Sequence, residues 1–173
     1  PLVVPTMAYS GDLEKRLRKK KIPKPLERFI KERVRVGKRF LLFVPRITLL
    51  SPIEASLRRQ FPKAKFETVS SKEPYRQARI AQMRAGELDF LVTTTILERG
   101  VTFPGIDVCV INAHEEEFSR EVLVQIAGRV GRTADCPTGE VVYVHNGKTK
   151  AMVQAVKEIE DLNQQALQGR KPK

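Results

Sequence analysis

Short apolar runs alternate along the chain with stretches of helical periodicity, and this alternation is the feature that most restricts the fold. Five runs have the brevity and apolar character of buried strands, at 39–44, 65–69, 88–93, 108–111 and 141–144. Amphipathic helices are predicted between or beside them, at 26–36, from 51, at 71–85, 119–133 and 149–167. The pattern predicts an α/β domain around a mostly parallel sheet, in which ligands bind beyond the carboxyl ends of the strands.

Local signals mark several helix ends. Gly37 is a plausible C-cap for the first predicted helix. The run Ser51-Pro52-Ile53-Glu54 has the form of a capping box with proline at the first helical position, and it predicts a helix start. The last helix has an apolar stripe at Met152, Val156, Ile159 and Leu162.

The two ends of the chain differ in composition from its middle. Residues 1–25 contain four prolines and the basic run KRLRKKK at 15–21, which together predict a linker or solvated basic arm. The chain begins with Pro1 rather than methionine, so we expect a fragment of a longer protein, cut near a domain boundary. The folded domain is therefore expected at 26–167, and 168–173 as a frayed tail.

Net charge limits the partners. The 173 residues carry a formal charge of +12, which favours a polyanion such as RNA, DNA or an anionic membrane surface. Cys109 lies in an apolar run and is expected to be buried; with only two cysteines, a reducing cytoplasm fits better than a disulfide. His114 and His145 have no Cys/His cluster beside them, so no metal site is predicted.

The segment from Ser119 to Thr133 reads as a helix with two opposed faces. A core-facing stripe is formed by Leu123, Ile126, Ala127 and Val130. The opposite side carries Gln125, Arg129 and Arg132, and the flank carries Gly128 and Gly131. Each glycine inside a helix costs roughly 1 kcal/mol relative to alanine. Two glycines beside two arginines therefore suggest that a bulky anion such as a polyphosphate must approach this helix.

A second motif, TTTILERGVTFPGID, covers Thr93–Asp107 and follows an apolar run. Its threonines lie at the end of a predicted strand, and the arginine-bearing helix follows another strand. We therefore expect both motifs at the same edge of the sheet.

Together these segments resemble motifs V and VI of superfamily 2 helicases, where motif VI reads Q-x-x-G-R-x-G-R. Residues 125–132 match that pattern without a gap. The segment TTTILERGVT more specifically resembles the late-competence DNA-uptake ATPases of the ComFA type. The resemblance implies a RecA-like three-layer domain, the C-terminal lobe of a helicase or translocase.

The resemblance also implies roles for individual residues. Arg129 and Arg132 match motif VI arginines that face the nucleotide phosphates, while Gln125, Gly128 and Gly100 match positions near the bound ATP. Contacts to the DNA backbone are implied for Thr94, Thr95, Arg46 and Arg76. Thr102 stands where several RNA helicases have an aspartate that contacts the ribose, so no such contact is expected.

The first lobe of such an enzyme has no counterpart in this sequence. Gly147-Lys148-Thr149 imitates the end of a phosphate-binding loop, but Val142 occupies the required upstream glycine position. Neither a metal-binding acidic box nor the family's cysteine-rich zinc site is present. ATP and Mg²⁺ are therefore expected to be held mainly by a first lobe of the same protein, and this piece is expected to be inactive alone.

The implied partners are DNA, expected to be single-stranded, that first lobe, and the DNA-uptake machinery at the inner face of the cell membrane, with a cytoplasmic location. Two alternatives stay open. One is a lobe of a PriA- or RecG-like helicase, which shares the motif V pattern including Glu98; Arg99 and the lack of appended domains favour competence. The other is a basic nucleic-acid-binding module without an ATPase role.

Overall fold

The computed structural model describes residues 2–70, 74–94, 103–131 and 139–169. The strands are β1 (Thr6–Tyr9), β2 (Phe40–Phe43), β3 (Phe66–Val69), β4 (Phe90–Thr93), β5 (Phe103–Pro104), β6 (Asp107–Ile111), β7 (Val130–Gly131) and β8 (Val141–His145). The helices are α1 (Leu13–Arg18), α2 (Lys24–Val36), α3 (Leu50–Gln60), α4 (Arg76–Arg84), α5 (Arg120–Arg129) and α6 (Lys150–Gly169).

Six strands form one parallel sheet in the order β1-β8-β6-β2-β4-β3, and β5 pairs with β7 in a separate two-stranded ladder. In the central strands, Phe40 is in register with both Phe90 and Asp107. The predicted α/β architecture with a mostly parallel sheet is confirmed, and each of the five predicted strands is present. All carboxyl ends of the six strands meet at one edge, which we call the carboxyl edge; the opposite one is the amino edge.

Side chains of successive strand residues point to opposite faces, and each face has its own core. Leu41 and Phe43 of β2 join a cluster with residues of α4, α5 and α6, whereas Phe40 and Leu42 join one with residues of α1, α2 and α3. This alternation is the period-two pattern of a strand buried on both sides. The domain is therefore a three-layer sandwich with the sheet in the middle.

Phenylalanines line the amino edge. Phe66, Phe90 and Phe40 begin three neighbouring strands, and their rings stack at centroid distances of 4.7 and 4.6 Å. Phe29 of α2 meets the Phe40 ring edge-on at 5.3 Å. Aromatic contacts of this kind contribute about 0.5–1.5 kcal/mol each beyond simple burial, so this row helps to fix α2 on the sheet.

The prediction that residues 1–25 form a linker is wrong for the described part of that segment. β1 pairs in parallel with β8, from Thr6 opposite Val142 to Tyr9 opposite His145. Leu13, Leu17 and Ile22 are buried in the core. Prolines and charges dominate the composition of this segment, but three apolar side chains at suitable spacing are enough to attach it. The domain therefore begins before residue 26.

Two helix boundaries also differ from the predictions. α3 begins at Leu50, and no side-chain cap forms at its start, because a short 3₁₀ helix at Ile47–Leu49 leads directly into it. α5 ends at Arg129, and the backbone of Val130 is extended. Gly37, by contrast, ends α2 with φ 73°, as expected for a C-cap. Of the predicted frayed tail at 168–173, residues 168 and 169 belong to α6 instead, and 170–173 lie outside the described residues.

Among the described residues, no helix is both long and apolar enough to cross a membrane. The expected burial of Cys109 is confirmed, and burial raises the pKa of its thiol to about 12.

Candidate functional site

The helix α5 is built as its sequence predicts, up to its last turn. Ser119 caps its start, because the Ser119 hydroxyl oxygen accepts a hydrogen bond from the Val122 amide at 3.2 Å. The stripe Leu123, Ile126, Ala127 and Val130 is buried, as predicted. Gln125 and Gly128 are exposed on the outer face of the helix, three residues apart. A Cβ added at Gly128 would meet no neighbouring atom within 4 Å, so none of the described residues explains a glycine there.

The end of α5 lies at the amino edge of the sheet. Val130 pairs with Phe103, just before β6 begins. A Cβ added to Gly139 would lie 3.5 Å from the Val130 side chain and 3.8 Å from a carboxylate oxygen of Asp107, the first residue of β6. The motif at Thr93–Asp107 spans both edges: its end, from Phe103 to Asp107, lies beside the end of α5, whereas Thr93 and Thr94 lie at the carboxyl edge. The expectation that these threonines share an edge with the end of α5 is therefore wrong. The physical reason is that α5 starts after the carboxyl end of β6 and runs back along the sheet, so its last turn returns to the amino edge.

Part of the predicted nucleotide site falls outside the described residues. These are Gly100 and Arg132, together with Thr95 of the predicted DNA contacts. Arg129 is the last residue of α5, and only its backbone is described. Gly131 belongs to β7 rather than to the helix. The helical spacing that aligned Arg129 with Arg132 therefore does not hold, since the helix stops between them.

A buried ion network at the amino edge was not predicted. Arg33 of α2 is 6% exposed; its Nε donates to Asp107 Oδ2 at 2.9 Å, and it also pairs with Glu140. The guanidinium lies 3.6 Å from the centre of the Phe29 ring. Asp107 in turn accepts a hydrogen bond from the Glu140 amide at 2.9 Å. The network connects α2 to the beginnings of β6 and β8.

The sequence did contain a signal for this network. Counting i, i+3, i+4 and i+7 from Leu26 gives Phe29, Ile30 and Arg33, so an arginine occupies a core position of an amphipathic helix. An arginine at such a position needs a buried carboxylate partner. Asp107 at the start of an apolar strand was the candidate.

Arg46, predicted to contact DNA, lies at the carboxyl edge beyond β2 and is surrounded by carboxylates. It forms an ion pair with Glu115, and its guanidinium nitrogens lie 3.5 Å from Glu117 and 3.4 Å from Glu14. Its side chain is 37% exposed. Three carboxylates around one guanidinium leave a local negative charge, so a phosphate would have to compete with them for Arg46.

The other predicted DNA contacts lie at the ends of β4 and β3. Thr94 follows β4, but it is only 3% exposed, and its hydroxyl has no hydrogen-bond partner within the described ranges. A phosphate could reach that hydroxyl only if its surroundings rearranged. Arg76 begins α4 and is half-buried. Beside it, Tyr75 is 64% exposed, and the Arg79 guanidinium lies 5.8 Å from its ring. The sequence reading missed this tyrosine; an exposed ring next to arginines could stack on a base.

A cleft of about 470 Å³ opens at the carboxyl edge near the ends of β1, β6 and β8. Its walls include Asp12, Glu14 and Glu115. The two histidines read as isolated in the sequence come together beside it. His114 Nδ1 accepts from the Asn146 amide at 3.1 Å, and His145 Nδ1 accepts from the Gly147 amide at 3.0 Å.

Burial lowers the pKa of both histidines. The charge of His145 lowers the pKa of His114 further, and that of Lys148 does the same for His145. In each of these hydrogen bonds Nδ1 is the acceptor, so it is the neutral form of the ring that makes the bond. Within the described residues, no three His, Cys, Asp or Glu side chains are arranged to hold a metal ion.

The arrangement separates two kinds of chemistry. The amino edge, where α5 ends, carries the segment whose sequence pattern suits polyphosphate binding. The carboxyl edge is acidic near β1, β6 and β8 and carries arginines near β3 and β4.

Comparisons with known proteins agree with this architecture. The sequence matches the family described as helicase conserved C-terminal domain over residues 8–134. It is 39% identical to competence protein ComFA of Bacillus subtilis (strain 168) and 37% identical to ComFA of Streptococcus pneumoniae (strain ATCC BAA-255 / R6), over 96% of this chain in each case. The chain spans only 35% and 38% of those two relatives. Domain 2 of the DEAD-box helicase Mss116p, solved bound to an RNA duplex, has the same fold, with a TM-score of 0.57 at 20% identity over 91% of this chain and 58% of that one.

Proposed function

The chain belongs to the family of helicase conserved C-terminal domains, and from this premise we propose that it is the second RecA-like lobe of an ATP-dependent DNA translocase that drives uptake of single-stranded DNA in competence. The similarity to ComFA over 96% of the chain supports competence over the PriA- or RecG-like alternative. Because the chain covers about a third of those relatives, the first lobe would be supplied by the rest of the protein.

The observation that carries this proposal is the β5–β7 ladder at the amino edge. β5 lies within the motif V segment Thr93–Asp107, and β7 lies within the motif VI residues 125–132. Their pairing joins the two motifs by backbone hydrogen bonds. A change at one motif, such as contact with DNA, would therefore be felt at the other, which is what a motor that links ATP hydrolysis to movement requires.

ATP·Mg²⁺ would bind in a cleft between this lobe and the first. The exposed Gln125 and the open space beside Gly128 leave room for a phosphate-bearing ligand or a facing lobe. Arg129 and Arg132 would neutralise the charge that develops on the transferred phosphoryl group. An arginine in such a role contributes about 10³–10⁵ in rate. Without the phosphate-binding loop of the first lobe, this chain would not hydrolyse ATP by itself.

DNA would lie at the carboxyl edge beside β3 and β4, where Arg76, Thr94 and Thr95 are the proposed backbone contacts. Contacts to phosphates set the position of a strand without reading its sequence, as a translocase requires. Arg46 is the weakest of the proposed contacts, because Glu14, Glu115 and Glu117 already surround it.

The test is ATP hydrolysis by the full-length protein with single-stranded DNA, comparing the native enzyme with Arg132→Ala. We expect turnover to fall about 10³-fold or more while nucleotide binding is largely kept. Arg120→Ala is the matched control, since Arg120 is an exposed arginine at the other end of the same helix, and its turnover should not change. Unchanged turnover in Arg132→Ala would remove the catalytic role and leave a basic nucleic-acid-binding module.

The biological part of the proposal needs a separate test. Arg132→Ala introduced into the chromosome of the source organism should abolish natural transformation while growth and survival of DNA damage stay normal. Normal transformation with poor growth or damage sensitivity would instead indicate a replication-restart or recombination helicase.

A further inference from the structure

The positive charge of the protein is concentrated on one outer layer. Residues 13–36 contain eleven Lys and Arg against three Glu, a net charge of +8 out of the total of +12. α6, on the other side of the sheet, has two Lys against three acidic residues. Charge placed so unevenly on one layer is the electrostatic pattern of a polyanion-binding surface.

The structure holds these cations in fixed positions. The basic run at 15–21 is not a loose arm, since Lys20 N bonds Leu17 O at 2.9 Å and Lys21 N bonds Arg16 O at 2.9 Å. Buried Leu13, Leu17 and Ile22 anchor it to the core. The exposed cations of this layer, which we call the α1–α2 surface, are Lys15, Arg18, Lys19, Lys20, Lys21, Lys24, Arg28, Lys31 and Arg35.

Four of these cations form a single row along α2. Lys24, Arg28, Lys31 and Arg35 are spaced by four, three and four residues, which places them on one helix face over about 16 Å. A shallow groove of about 400 Å³ is lined by Lys24, Arg28 and Lys31 together with Glu27, the partner of Lys31. Within this row only Lys31 has an ion pair among the described contacts, with Glu27 at 2.9 Å. Arg33, the helix's inward arginine, is already neutralised by Asp107 and Glu140.

We infer that the α1–α2 surface is a second binding site for the phosphate backbone of single-stranded nucleic acid, separate from the DNA contacts proposed beside β3 and β4. A row one cation wide matches a chain of phosphates. An anionic membrane fits less well, because helices that lie on membranes insert an apolar face. The apolar face of α2, with Leu26, Phe29 and Ile30, is buried in the core, and Val36 is the sole large apolar side chain that stands exposed between residues 13 and 36. The inference rests on the proposed nucleic-acid function and adds a location to it.

The experiment uses the full-length protein and a fluorescent oligothymidylate, with affinity measured by anisotropy over a range of salt concentrations. The test variant is Lys24→Gln/Arg28→Gln/Arg35→Gln, which leaves the Lys31–Glu27 pair intact. The matched control is Lys148→Gln/Lys150→Gln/Lys157→Gln, which removes the same charge from exposed positions elsewhere. All six residues are exposed, so both variants should fold, and circular dichroism checks this.

We expect the test variant to bind more weakly and to lower the slope of log affinity against log salt by about two, since each lost contact to a single strand removes about 0.7. The control should keep the native slope. An equal loss of affinity and slope in both variants would mean that only the net charge of the protein matters, and it would overturn the inference. Native affinity and slope in the test variant would overturn it as well, while leaving the proposed function intact.

Two further outcomes separate the alternatives. If the native protein does not bind the oligonucleotide at all, the proposed function fails together with the inference. Flotation with phosphatidylglycerol vesicles tests the lipid alternative. Loss of vesicle binding in the test variant, with its DNA affinity and slope unchanged, would assign the surface to the membrane and overturn the inference.

Discussion

The two edges of the sheet are built in opposite ways. At the amino edge, Arg33 pairs with buried Asp107 and with the exposed Glu140, stacked phenylalanines begin three strands, and the pairing of β5 with β7 holds the end of α5. At the carboxyl edge, an open cleft lies among carboxylates, and the partly exposed Arg46 neutralises only part of the charge of the three around it. The comparison indicates that stability is concentrated at the edge where α5 ends, whereas the other edge keeps polar groups accessible.

The largest expected difference is in the buried ion network. Arg33→Met should lower the free energy of unfolding by about 3–5 kcal/mol, because it leaves Asp107 charged, buried and unpaired. Denaturant unfolding followed by circular dichroism measures this. Arg35→Met on the same helix, at an exposed position, should change stability by no more than about 0.5 kcal/mol.

A second substitution sharpens that result. Adding Asp107→Asn to Arg33→Met removes the unpaired negative charge of the Asp107 carboxylate. The asparagine keeps an oxygen that can accept the hydrogen bond from the Glu140 amide. The double variant should recover part of the lost stability. No recovery would mean that packing of Arg33 against the Phe29 ring, rather than charge, is what stabilises this edge.

A smaller effect is expected at the carboxyl edge. Arg46→Gln should cost about 1 kcal/mol or less, because the ion pairs are partly exposed and screened by solvent. Added salt should reduce the cost, since it also screens repulsion among Glu14, Glu115 and Glu117. Arg58→Gln is the matched control, with a side chain 48% exposed and carboxylates no nearer than 3.9 Å. A loss as large as that for Arg33→Met would break the contrast between the two edges.

The smallest predicted effect is the pH dependence that the two histidines add. Their pKa values are lowered in the folded state from 6.5, so below about pH 6.5 the unfolded chain binds more protons than the folded one. The free energy of unfolding should therefore decrease as pH falls from 7.5 to 5.5, measured by thermal unfolding. A His114→Gln/His145→Gln variant should show a weaker dependence; an equally steep one would assign the effect to other groups.

Hydrophobic periodicity predicted the secondary structure correctly wherever a single segment buries one apolar face. The five predicted strands and the stripe of α5 are present because each is a local pattern whose burial is strongly favourable. The stripe of α6 was right at Met152 and Ile159, but Leu162 is 41% exposed. At that turn it is the polar Asn163 that contacts the rest of the domain, through two hydrogen bonds to the backbone of Leu2. β1 was missed because it is only four residues long, lies in a segment rich in prolines and charges, and has no fully buried side chain. β1 is held in the sheet by backbone pairing with β8, and such pairing leaves no pattern in the sequence.

The predicted nucleotide and DNA contacts depend on more than local pattern. The structure keeps Gln125 and Gly128 exposed on one face of α5. However, the end of that helix and Thr94 lie at opposite ends of the strands. It also surrounds Arg46 with glutamates from α1 and from the segment after β6. These neighbours come from positions 32 and 69 residues away, so no reading of the surrounding sequence would have identified them.

The sequence by itself determined the α/β class, most of the parallel sheet and the helicase C-terminal family, because hydrophobic period and motif spacing are properties of short segments. The tertiary structure alone decided which edge the end of α5 reaches, that residues 2–25 belong to the domain, and that the basic run forms a fixed surface with α2. Each of these features depends on contacts between residues that are far apart in the sequence. The pair Arg33 and Asp107, which are 74 residues apart and buried against each other, is one example.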